Sequence, residues 1–184
     1  NISRGKKIKI SDPKNKVNLL YIDDLVGILK KIINKKKNNK KLIYNIKASK
    51  TVTLKQLSEN IIDFEIKRKN LSIGKIDSKF QKNLYSTYIS FLPKNKISYK
   101  LKAIKDNRGS FTEFLKTNDN GQFSVFVAKK NQIRGHHFHH SKVEKFLVLK
   151  GKGQFNMKDV SSNQKIKFNL NGNEPRVIES VPGW

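Results

Sequence analysis

The chain changes its periodicity close to Pro93, and that change limits what it can fold into more than any other feature. Ahead of Pro93 the apolar residues recur at helical spacing. Tyr21-Ile22-Asp23-Asp24 places carboxylates before Leu25, Ile28, Leu29, Ile32 and Ile33. That is one apolar face with acid at the positive end of the helix dipole. Thr53 and Gln56 have capping-box spacing and open a second stripe of Leu54, Leu57, Ile61, Phe64 and Leu71. A third helix is predicted over 78–91, with Phe80, Leu84, Tyr88 and Phe91 on one side and Pro93 as its stop. Residues 40–46 read as a strand. Behind Pro93, short alternating segments take over, with turns at Asp106-Asn107-Arg108-Gly109, Asn118-Asp119-Asn120-Gly121 and Gly151-Lys152-Gly153. Short strands at regular spacing predict a sandwich or barrel. The expected boundary lies at 93–99, dividing the chain into 1–95 and 96–184. No internal repeat is visible.

A formal charge of +26 raises the possibility of a nucleic-acid partner, but the kind of charge argues against it. The only arginines are Arg4, Arg68, Arg108, Arg134 and Arg176; the remainder is lysine. Arginine is the residue suited to bidentate phosphate and guanine contacts. The densest run, Lys35-Lys36-Lys37-Asn38-Asn39-Lys40-Lys41, carries no aromatic side chain on which a base could stack. It reads as a solvated loop, and no nucleic acid is expected. No apolar run approaches the roughly 20 residues that cross a bilayer, so no membrane span is expected. The absence of cysteine excludes disulfides and thiolate ligands. A cytoplasmic protein fits, and any metal must be held by histidine and carboxylate. The chain starts at Asn1 and ends at Val181-Pro182-Gly183-Trp184, which reads as a fragment cut at both ends.

All four histidines fall in one window, His136-His137-Phe138-His139-His140, and Glu144 follows closely. The flanks, Phe123-Ser124-Val125-Phe126-Val127 and Phe146-Leu147-Val148-Leu149, read as strands. In an extended chain alternate side chains share a face, so His137 and His139 point one way and His136, Phe138 and His140 the other. A turn through His140-Ser141-Lys142-Val143 can bring Glu144 back towards the pair. Histidine and carboxylate are the usual ligands of zinc and other divalent first-row metals. Spacing alone leaves a solvated histidine loop open beside the metal site, and a helical reading with His136 and His140 one turn apart is the weaker alternative.

His137-Phe138-His139, four residues, Glu144, six residues, Gly151 resembles the first motif of the cupin superfamily. Asn131 stands where that motif usually opens with glycine. Pro182-Gly183-Trp184 is similar to the start of the second cupin motif, whose histidine would lie past Trp184. Asp106-Asn107-Arg108-Gly109-Ser110-Phe111-Thr112-Glu113 resembles the D-x-R-G-x-F-x-E segment of nucleotide 4-keto-6-deoxysugar 3,5-epimerases. The longer strings RGSFTEF, GHHFHHSKVEKFLVLKGKGQF and VPGW resemble the CapF-type family of bifunctional capsular polysaccharide enzymes. That family joins an extended short-chain dehydrogenase/reductase (SDR) domain to a C-terminal cupin. NLLYIDDLV and KFQKNLYSTYISFLP are similar to the end of such a reductase and to the segment leading into the cupin.

The resemblance implies an α+β chain: a mainly helical C-terminal remnant of an extended SDR domain over 1–95, then an incomplete all-β cupin (jelly-roll) over 96–184. It implies a two-step conversion of a UDP-linked 4-keto-6-deoxy-N-acetylhexosamine, epimerised at C3 and then reduced at C4 with NADPH. His137, His139 and Glu144 are the implied metal ligands, zinc the expected ion, and the fourth ligand a histidine beyond Trp184. Arg108 is the implied contact to sugar or diphosphate, with Phe111 and Glu113 lining the site. An ordinary ion pair is the alternative for Arg108, and core packing for Phe111. No glycine-rich dinucleotide turn occurs in residues 1–93, so no NADPH contact is expected in this chain. No catalytic acid or base is identified. A homodimer is implied for the full-length enzyme, and this fragment is expected to be inactive alone. A non-catalytic metal- and sugar-binding module is the alternative function, and a basic nucleic-acid-binding protein the third.

Overall fold

A computed structural model describes residues 1–34, 43–74, 76–117 and 121–184. After a 3-10 turn at Ile2–Arg4 come β1 (Lys16–Leu19), α1 (Ile22–Ile33), β2 (Lys50–Thr53), α2 (Leu54–Lys69), β3 (Ser72–Ile73), α3 (Lys79–Ser90) and α4 (Lys94–Ile97). Seven strands follow: β4 (Ala103–Asp106), β5 (Gly109–Thr117), β6 (Gly121–Ala128), β7 (Glu144–Leu147), β8 (Lys152–Lys158), β9 (Lys165–Asn171) and β10 (Val177–Ser180). Among the described residues, no helix is long and apolar enough to cross a membrane. The chain forms two compact units, Asn1–Lys130 and Asn131–Trp184.

In the first unit the three long helices form where periodicity predicts them, but Leu71 falls past the end of α2 at φ 56° and Phe91 is the exposed C-cap of α3, so neither belongs to its predicted stripe. Thr53 accepts from the Gln56 amide, and the Gln56 side chain accepts from the Thr53 amide, so both halves of the capping box form. Ser78 caps α3 by one half of that motif, its side chain accepting from the Gln81 amide. The stripes of α2 and α3 then meet: Phe64, Tyr88 and Leu92 are buried, with Ile61, Leu84, Tyr85 and Ile89 packed around them. Asp23 and Asp24 sit in the first turn of α1 without a side-chain cap. Asp24 instead accepts from Ser49 and Lys79, and the Lys79 ammonium lowers its carboxyl below the ordinary range.

The expectation of a mainly helical SDR remnant followed by a cupin jelly roll is overturned. Strand, at 31%, exceeds helix, at 27%, and it is spread over several sheets along the whole chain. In the first half β1 and β2 pair antiparallel, from Lys16↔Thr53 to Leu19↔Lys50. The predicted strand at 40–46 is displaced to β2; residues 43–46 carry no strand, and 40–42 lie outside the described residues. β-branched Thr51, Val52 and Thr53 supply the better strand. The β3 strand, from before Pro93, pairs parallel with the far end of β5, Ser72↔Lys116 and Ile73↔Thr117. One sheet therefore draws on both sides of Pro93. In it β6 runs along one edge of β5, while β4 and β3 share the other.

The second unit contains two antiparallel pairs, β7 with β10 and β8 with β9. Leu170 and Ile178 are its buried apolar residues, and the rings of Phe146 and Phe155 lie 4.6 Å apart. Pairs of this kind do not make the continuous double sheet of a jelly roll.

Candidate metal centre

The histidine window is not itself a strand. Gly135 at φ 111° and His136 at φ 61° interrupt the extended run, and only beyond them do side chains alternate. The rings of His137 and His139 then lie edge to face, with centroids 5.0 Å apart. Phe138 and His140 form the complementary pair at 5.1 Å. A bend follows at residues 140–141, and Glu144 enters as the first residue of β7. One donor atom from each of His137, His139 and Glu144 lies within 4.8 Å of the others.

Within this group His139 Nε2 stands 3.6 Å from Glu144 Oε2, too long for a hydrogen bond. It is close to the ~3.4 Å that separates two donors of a tetrahedral zinc with bonds of roughly 2.1 Å. His139 Nε2 is also buried and has no hydrogen-bond partner. A buried polar atom without a partner is costly, and an ion bound there would satisfy it. The other carboxylate oxygen, Oε1, accepts from Lys142 Nζ at 2.9 Å.

Two backbone contacts set the positions of the donors. The Glu144 amide donates to Ser180 Oγ at 3.0 Å, where β7 and β10 pair Glu144 with Ser180. The Gly183 amide donates to the His139 carbonyl at 2.9 Å. The 180–183 segment thus braces both arms of the centre. Asn131 takes φ 60°, the left-handed conformation that asparagine tolerates better than most residues. Gly151 has φ 86° and its carbonyl accepts from the Gly172 amide at 2.9 Å. Spacing assigns nothing to Lys142 or Ser180. The signal for Lys142 is its place two residues before Glu144; the signal for Ser180 exists only in the strand register.

The 183 turn is itself held by the β8–β9 loop, where the Val160 amide donates to the Gly183 carbonyl at 3.0 Å. Asp159 organises this loop, accepting from Ser162 Oγ, Ser161 Oγ and the Ser161 amide. Hydrogen bonds from Ser162, then Ser161, lower its carboxyl from 3.8 to about 2. The folded value is depressed, so the stabilisation is present above the unfolded pKa and is lost as pH falls through about 2. A carboxyl-carbon NMR titration should therefore place Asp159 below every unperturbed aspartate, and Ser162→Ala should raise it towards 3.8. An unmoved midpoint in that variant would refute the hydrogen-bond origin of the depression.

Arg108, Phe111 and Glu113 belong to the first unit, on and beside the β4–β5 hairpin. Asp106 Oδ1 accepts from the amides of Arg108 and Gly109, and Oδ2 accepts from Arg108 Nε at 3.0 Å and Nη2 at 2.7 Å. Arg108 thus makes a local two-pronged ion pair. Phe111 is half-buried between its cross-strand neighbours Ile104 and Phe126. Glu113 lies opposite Ser124 beside a bulge that sets off Phe114, and Lys116 Nζ approaches its Oε1 to 3.5 Å.

Comparison with known proteins gives a consistent picture. Residues 104–184 match the family model for the polysaccharide biosynthesis C-terminal domain. A curated relative from Pseudomonas aeruginosa, UDP-2-acetamido-2,6-beta-L-arabino-hexul-4-ose reductase, is 38% identical over 184 residues, which is 100% of this chain and 49% of the relative. The chain thus spans about half the length of the curated relative it matches. The capsular polysaccharide assembling protein CapF from Staphylococcus aureus superposes with a TM-score of 0.87 at 36% identity, over 99% of this chain and 49% of CapF. A structure of CapF with the inhibitor 3-isopropenyl-tropolone gives a TM-score of 0.88 at 36% identity, over 99% of this chain and 53% of the other.

Proposed function

We propose, on the premise that this chain corresponds to the C-terminal part of a CapF-type protein, that it serves in an enzyme modifying a nucleotide-linked sugar for capsular polysaccharide synthesis. The substrate is a UDP-linked 4-keto-6-deoxy-N-acetylhexosamine, and the step assigned to this chain is inversion at C3, beside the ketone. The observation that carries the reading is the convergence of His137, His139 and Glu144, with His139 Nε2 buried and without a hydrogen bond. Two imidazole nitrogens and a carboxylate oxygen are the donors of zinc, and they fit a divalent ion of that kind. When bound, such an ion supplies a Lewis acid that withdraws charge from the ketone oxygen and makes the adjacent C–H acidic.

The chain's own contribution is to hold the donors. Ser180 and Gly183 hold the backbones of Glu144 and His139, which limits how far the two donors can move apart. Arg108, Phe111 and Glu113 are the proposed substrate contacts; to grip a diphosphate, Arg108 exchanges Asp106 for the ligand. The reduction named for the Pseudomonas relative needs a hydride donor, and NADPH is the one the resemblance implies. The residues of this chain do not fit it, because they include no glycine-rich strand-to-helix turn. No step of this chain is therefore assigned to NADPH.

The test is proton exchange. In D2O the full-length protein is expected to carry deuterium into C3 of the 4-keto sugar, and His137→Ala or Glu144→Ala to slow this by more than ~100-fold, beyond what an outer hydrogen-bonding partner costs. Exchange that persists in metal-stripped protein would sink the reading. Binding of the UDP-sugar with no exchange at all would point instead to a non-catalytic sugar-binding module.

A further inference from the structure

We infer that Lys142 is a positioning residue of the metal centre, holding Glu144 so that it offers the ion one oxygen only; this rests on the metal reading above. Glu144 divides its oxygens between two partners. Oε1 accepts from Lys142 Nζ at 2.9 Å, while Oε2 faces His139 Nε2 at 3.6 Å. The ammonium therefore stands beside the ion's place and not in it, and both contacts can exist together. With its backbone fixed by Ser180 and one oxygen fixed by Lys142, Glu144 has little freedom left to rotate.

Such a carboxylate suits one class of ion. Calcium takes six to eight oxygens and commonly both oxygens of a carboxylate, whereas zinc takes four donors in a tetrahedron. An ammonium on Oε1 removes the two-oxygen mode and leaves the zinc-like one. Repulsion between the ammonium and the ion works against binding. The Lys142 side chain is 54% exposed, however, so water screens that repulsion. Orientation of the carboxylate is a short-range effect that water does not screen. Partners that hydrogen-bond a ligating carboxylate typically contribute 10–100-fold in metal affinity.

These 184 residues contain no cysteine, and this permits a test by chemical rescue in the full-length protein, with any cysteine outside them replaced by serine. Lys142→Cys introduces a single thiol, and alkylation with 2-bromoethylamine rebuilds an ammonium at nearly the original reach. Zinc affinity is measured on the full-length protein by competition with a chromophoric chelator, and coordination geometry by the visible spectrum of the cobalt(II) form. Lys142→Met and unmodified Lys142→Cys are expected to bind zinc about 10–100-fold more weakly. Their cobalt spectra should lose intensity as Glu144 becomes free to add its second oxygen. Aminoethylation should restore both affinity and spectrum. Melting in chelator should match wild type throughout, since the side chain is half exposed. Wild-type affinity and spectrum in Lys142→Met would overturn the role of Lys142 and leave the metal reading standing. A wild-type protein that takes up no zinc would overturn both.

Discussion

Replacing His139 with leucine is expected to abolish zinc binding while leaving the metal-free protein at least as stable as wild type. The two effects have separate causes. His139 stands beside both other donors, its ring against His137 and its Nε2 facing Glu144, so its removal leaves the site with no centre. The loss should exceed the roughly 100-fold that disrupting an outer partner costs. In the absence of metal, however, Nε2 is a buried polar atom without a hydrogen bond. Such an atom costs about 1–3 kcal/mol, and an apolar side chain of similar size removes that cost. Equilibrium dialysis with zinc and a denaturant titration in chelator read the two quantities. A stability loss in chelator as large as a core truncation would show that His139 serves packing. Retained zinc would show that the centre lies elsewhere.

Gly109→Ala is expected to be the most damaging single-methyl change in the first unit, at about 3–5 kcal/mol. Gly109 has φ 143°, outside the range of ordinary L-residues, and it opens β5 directly after the Asp106–Arg108 turn. A Cβ there would lie 1.8 Å from the Val127 carbonyl oxygen and 2.9 Å from its carbon. Those are backbone atoms of β6, held by the pairs Gly109↔Ala128 and Ser110↔Val127, so they cannot move without breaking the ladder. Strain and collision therefore add. Gly153→Ala is the control, because nothing lies within 4 Å of its Cβ position and its φ is not positive. Its effect should stay within about 0.5 kcal/mol. A Gly109→Ala variant that unfolds at the wild-type denaturant midpoint would contradict the close approach of β5 and β6.

The same glycine changes how the D-x-R-G segment is understood. Asp106 caps the turn through two amides, Arg108 folds back on Asp106, and Gly109 fits where no side chain can. Hairpin mechanics alone thus account for the three named letters, whatever Arg108 does with a ligand. The candidate metal centre was more legible, because its information is local. Alternation of His137 and His139 follows from extended backbone, and the return of Glu144 needs only a short bend.

What the sequence by itself determined about this protein are the features that depend on near neighbours. These include the three long helices with the caps at Thr53 and Ser78, the hairpin at Asp106–Gly109, and the grouping of His137, His139 and Glu144. Tertiary structure alone decided which strands pair across long separations. Ser72–Ile73 is too short to declare itself as a strand, yet it finds the end of β5 and joins residues from both sides of Pro93 in one sheet. Ser180 and Gly183 reach His139 and Glu144 only through the β7–β10 register and the β8–β9 loop. The physical reason is common to both cases. A helix or a tight turn closes its hydrogen bonds within a few residues, so its sequence carries the instruction. A strand leaves its bonds open on both edges, and its partner is chosen only when the rest of the chain has folded.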